Sequence, residues 1–140
     1  MNRKFTFPIQ PVVGMWIVFV VLAILNGSLR VYVIIPITGN YIGHVISSII
    51  LSTIIFVGTY LFIKKKNLAA SNYLVTIGAL WLFMTIAFEF LFGHFVMNHP
   101  WEKLLADYNI FKGRVWILVL FATFLSPILS GRLIKKRLNN

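Results

Sequence analysis

The run Phe88-Glu89-Phe90-Leu91-Phe92-Gly93-His94-Phe95 sets a carboxylate and an imidazole among aromatic rings, at the end of a long apolar stretch. A carboxylate in such surroundings can carry a proton or a cation, because loss of water favours its neutral form. Arg30 and Arg114 border other apolar stretches. A guanidinium offers a planar fork of donors that suits a carboxylate or a phosphate. Asn26 stands four residues before Arg30, His44 is followed by Ser47, Ser48 and Ser52, and Asp107 opens the triplet Asp-Tyr-Asn. Glu89, Arg30, Arg114, His44, Asn26, His94 and Asp107 are therefore the candidate ligand-binding residues.

Other chemistries fit less well. His44, His94 and His99 with Glu89 and Asp107 are of the type that binds zinc or iron. No HxxxH or HExxH pairing occurs, however, and neither a metal site nor a cofactor is assigned. The absence of cysteine removes disulfides, thiolate ligands and thiol nucleophiles. The spacing Gly39 to Gly43 lacks the lysine of a phosphate-binding loop. No Ser-His-Asp constellation can be assembled, and catalysis is left open.

What must position these residues follows from composition. The chain is 59% hydrophobic with a mean hydropathy of +0.89 and only 11% charged residues. Soluble domains are about half apolar, so the excess points to lipid. A hydrocarbon core about 30 Å thick takes about 20 apolar residues per helix. Four such runs fit, near 12–35, 41–63, 71–96 and 113–130, and they leave no room for a separate soluble domain. The expected fold is all-α, one domain over 1–140: an integral membrane bundle of four transmembrane helices. The N-terminal basic arm and first apolar run could be a signal peptide, but the residues around Ala23 to Gly27 make a poor cleavage site, so the first run is kept as a span.

Between the spans the turn residues are explicit. Pro36-Ile37-Thr38-Gly39-Asn40 is expected to stop the first helix. Ser71 or Asn72 can cap the third. Asn98-His99-Pro100-Trp101-Glu102 looks like a helix start, and Trp101, Leu104, Leu105 and Tyr108 recur at helical spacing. A short helix near 100–108, flat at the interface, is expected between spans 3 and 4.

Charge sets the orientation. Of thirteen Lys and Arg, nine (Arg3, Lys4, Lys64, Lys65, Lys66, Arg132, Lys135, Lys136, Arg137) fall at one end of the spans. That end is expected to be cytoplasmic, with both termini inside. All three acids fall at the other end, with the remaining bases. The net charge of +10 thus reads as membrane topology. With no basic face outside the spans, nucleic acid is excluded as a partner.

At 1.5 Å per residue, Glu89 lies roughly 27 Å from Ser71, in the outer part of the third span. Arg30, His44 and Arg114 fall at the same level of theirs. Asn26 and Arg30 share a face with Ala23 and Gly27; His44, Ser48 and Ser52 form a stripe; Trp81, Thr85, Glu89 and Gly93 form another. Glu89 and His94 do not share a face unless the helix end unwinds. Little polar material continues inward, apart from Thr59, Thr76 and Trp81. Blander roles compete: a structural Glu89–arginine pair, headgroup-anchoring arginines, serines bonding their own backbone, packing phenylalanines, a plain turn at Asp107. The expected function is an outer-leaflet polar pocket in the cell membrane that binds or moves a small or lipidic ligand, with coupling to protons through Glu89. The alternatives are a membrane-embedded enzyme acting on a lipid or through a His/carboxylate metal site, and an accessory subunit of a homo-oligomer or larger membrane complex.

Overall fold

An apolar run that crosses lipid must satisfy its own backbone, and a helix does so within one segment. The computed structural model describes residues 6–70, 72–106, 108–109 and 115–140 and is all-helical. Its helices are α1 (Ile9–Thr38), α2 (Asn40–Lys65), α3 (Leu74–Val96), the short α4 (Trp101–Ala106) and α5 (Trp116–Leu138). All but α4 are long and apolar enough to cross a membrane. Large apolar side chains cover the outer faces, among them Ile17, Val21, Val57, Phe83 and Phe121.

The boundaries differ from the sequence reading in three places. Pro36 does not stop the first helix. Residues Arg30–Ile34 form a π-helical turn in which the Ile35 N–H reaches back to the Arg30 carbonyl. With the ladder already shifted there, the donor that Pro36 lacks is a small further loss. The helix runs on to Thr38 and ends at Gly39, whose φ of 83° favours a residue without a Cβ. The third helix starts at Leu74, and its N-cap, Tyr73, makes no side-chain capping bond; Ser71 lies outside the described residues. The last helix passes Pro127 and continues beyond 130 to Leu138. Near the proline, the Thr123 and Ser126 hydroxyls donate to the carbonyls of Val119 and Ala122; the carbonyl that Pro127 leaves without its helical donor is that of Thr123. Lys135, Lys136 and Arg137 then occupy the last turn, where the helix dipole favours cations.

α5 packs closely on α2 and on α3, and α1 packs on α2 but meets α3 only sparsely. Trp81 on α3 is fully buried at the centre. Its indole N–H donates to the Val12 carbonyl at 2.9 Å, and its ring meets Phe19 edge-on at 5.3 Å. Phe62 of α2 closes the same cluster. The inner half is also more polar than expected. Thr59 of α2 and Thr123, Ser126 and Ser130 of α5 are buried, on the two helices that pack most closely. These small hydroxyl residues let the two backbones approach.

Gly78 decides how close α3 and α5 can come, because a Cβ there would collide with the backbone carbonyl of Phe124. Gly78→Ala is expected to destabilise the bundle by about 1–3 kcal/mol, the usual range for overpacking. A lowered thermal midpoint in detergent checks this; an unchanged midpoint would mean that the helices are not seated against each other.

Candidate functional site

Where α1 meets α3 only sparsely, a cavity of about 840 Å³ lies between α1 and the other helices. Four sequence-derived candidates line this one space: Asn26 and Arg30 from α1, His44 from α2 and Glu89 from α3. They arrive as the helical spacing requires. Ala23, Asn26, Gly27 and Arg30 face it from α1, and Thr85, Glu89 and Gly93 from α3. The α2 stripe turns as it descends. His44 and Ser48 are followed into the cavity by Leu51 and Ile55, while Ser52 lines a separate shallow groove with Leu118 and Ala122.

The cavity is polar at one end and apolar at the other. Arg30, His44, Glu89, Asn40, Tyr41 and Tyr108 gather at the end near α4, whereas Phe19, Leu51, Ile55 and Val119 line the depth. Trp16 bridges α1 and α3 at the floor, its indole N–H donating to the Thr85 hydroxyl at 3.0 Å. Below that level Trp81 and its neighbours fill the bundle.

Glu89 is half-buried and its Oε2 accepts the Tyr108 hydroxyl at 2.5 Å. Tyr108 reaches it because Phe90, on the next position of α3, stacks on the Tyr108 ring at 5.7 Å and near Trp101 at 6.2 Å. Phe90 is thus neither lipid-facing filler nor simple core: it holds the returning segment over the polar end. Leu104 of α4 lies against Gly93, which has no side chain to block it. Leu104, Ala106 and Tyr108 line the cavity from this side.

His94 is turned elsewhere. The end of α3 does widen, into a π-helical turn over Phe92–Val96. Even so, the imidazole stacks on Trp101 at 3.8 Å, and its Nδ1 lies 3.0 Å from the His99 carbonyl. It does not line the cavity; His99 does. Asn26 lines the cavity but also ties α1 to α2, its Nδ2 donating to the Ser47 hydroxyl at 2.8 Å and the Ser47 carbonyl at 3.2 Å. Asp107 and Arg114 lie outside the described residues. Among the described residues no three His, Asp or Glu side chains gather as a metal would require.

Tyr108, which the sequence placed only on the apolar face of the short helix, lines the cavity, and so do Trp16, Trp116 and Thr123, which the sequence did not single out. For Tyr108 the available signal was its place beside Asp107, two residues after the end of the short helix α4. The two tryptophans give no signal beyond apolar spacing.

Tyr108→Phe keeps the stack and removes the hydroxyl, and is expected to destabilise by about 1.5–3 kcal/mol, as for hydrogen bonds to charged groups. Phe90→Ala loses both ring contacts, at about 1 kcal/mol each, and frees Tyr108 from Glu89 as well. Thermal midpoints should therefore fall in the order wild type, Tyr108→Phe, Phe90→Ala. Equal midpoints for all three would dissolve the proposed seat of Glu89. Compared with protein-family models, curated proteins and solved structures, the chain matches none.

Proposed function

We propose that this chain is a multi-pass protein of the cell membrane, with both termini in the cytoplasm, that binds an amphiphilic ligand in the outer half of its bundle. One observation carries the reading: a single cavity holds charged groups of both signs at one end and a mainly apolar depth at the other. Its volume lies within the range of ligand sites, about 300–1,000 Å³. A structural ion pair needs no such space, since a buried pair is favourable only when closely packed and fully bonded.

The depth suits a hydrocarbon chain, and the polar end suits a head that reaches water. Arg30 supplies paired donors for an anionic head. Glu89, with Tyr108 as its donor, takes up a proton or a cation as ligand is exchanged. His44, on the facing helix, tunes the local protonation. Burial of the Trp81 cluster below the cavity favours binding from one side over an open channel.

Native mass spectrometry of the protein, extracted in mild detergent, tests this. Wild type is expected to carry one amphiphile per chain, and Ala23→Phe, which fills the cavity from α1, to carry it at least about tenfold less (about 1.4 kcal/mol). Wild type free of any such mass would overturn the reading. Glu89→Gln should flatten the pH dependence of retention, because it removes the side chain assigned the proton; an unchanged profile would remove the proton role.

A further inference from the structure

The end of the bundle away from α4 carries charge that no acidic side chain answers. α2 ends on Lys64, Lys65 and Lys66, and α5 on Lys135, Lys136 and Arg137, all of them exposed. Helix C-termini favour cations, but each presents only about half a negative charge. The three acids of the chain lie elsewhere. Glu89 stands roughly 22 Å along α3 from Leu74. Glu102 is in α4, beyond the far end of that helix, and Asp107 follows α4 in the sequence.

The two basic helix ends form one surface. Arg137 reaches across from α5, its guanidinium 5.8 Å from the centre of the Tyr60 ring on α2, within the range of a cation–π contact. Lys64 comes four residues after Tyr60 and so shares its side of α2. The turn after α2 is seated on α5 as well, since the Ala69 carbonyl and the Leu74 side chain lie where Gly131 has no side chain. Lys64 and Arg137 therefore flank the basic end of the α2–α5 seam. Leu61, three residues before Lys64, and Leu133, four before Arg137, are 59% and 45% exposed. Each of these cations thus continues an outward apolar strip.

We infer that this seam seats an anionic phospholipid, its phosphate between Lys64 and Arg137 and its chains along Leu61 and Leu133. The site stands apart from the outer cavity and does not depend on it. Arg137 offers a fork of donors to the phosphate, and its contact with Tyr60 limits the freedom lost on binding. Lys64 adds a second positive charge, worth most close to an anionic surface. A zwitterionic head would bring an ammonium that meets no carboxylate side chain at this end, so a head with net negative charge is favoured. The flanking leucines favour a lipid over free phosphate.

Native mass spectrometry of the delipidated protein, titrated with phosphatidylglycerol or phosphatidylcholine, reads the site. The glycerol head is expected to bind at least about tenfold more tightly. Lys64→Gln combined with Arg137→Gln should abolish that preference. Lys65→Gln combined with Arg132→Gln removes the same charge about 140° round the helices from Tyr60 and Arg137, and should keep it. Equal affinities for the two lipids, or a preference lost equally in both double variants, would overturn the seam site. The preference should also survive Ala23→Phe, which fills the outer cavity and leaves this end untouched; its loss there would place the lipid in the cavity and overturn the seam.

Discussion

Hydrocarbon does not solvate charge, and this one constraint organises the bundle. A carboxylate or guanidinium near mid-membrane costs about 2.5–3.5 kcal/mol on insertion scales, so such a group turns towards protein, water or headgroups. Glu89 obeys it by facing inward, where Tyr108 donates to it. The rest of that end is built around the contact. Phe90 stacks against Tyr108, and Trp101 continues the stack to His94. The short helix α4 exists in this position because the aromatic column and the bare backbone of Gly93 give it a surface to lie on.

A second constraint works on the opposite half. There the helices carry few groups that need solvation, and they close up through small residues and buried hydroxyls. The same bundle is therefore tight towards the lysine-rich end and hollow towards the acidic end. The hollow follows from where α1 is held: by Trp81 and Trp16 low on α3, and by the Asn26–Ser47 bonds higher on α2. Asn26 serves as a clamp that keeps α1 beside α2 while its outer half stands away from α3.

Much of this was legible in the residues. Four spans follow from hydropathy, and the convergence of Arg30, His44 and Glu89 follows from placing each ionisable group at its depth and assuming that lipid will not take it. What could not be read is what depends on contacts between distant segments. Pro36 signals a stop, but a π-helical turn upstream absorbs it. Pro127 signals an end, but the helix is packed against two neighbours and runs past it to basic residues that suit its last turn. Phe90 looks like one more ring in an aromatic run, and only the return of the chain through α4 makes it the seat of Tyr108. His94, by spacing, shares no face with Glu89 unless the helix end unwinds; that end does widen, yet stacking on Trp101 holds the ring on another side. Thr123, which lines the cavity, and Ser126 and Ser130 further inward went unnoticed, because single hydroxyls on one helix gain meaning only against a facing one.

The claim on which all this depends is that the charged side chains of separate helices meet around a hollow rather than in a sealed knot or against lipid. A density map of the protein in lipid nanodiscs measures that directly. The account expects the Glu89 carboxylate inside the bundle, within hydrogen-bond reach of Tyr108, with continuous space or ligand density from there to Ile55. Helices closed together over that space, or Glu89 directed outward among acyl chains, would contradict it.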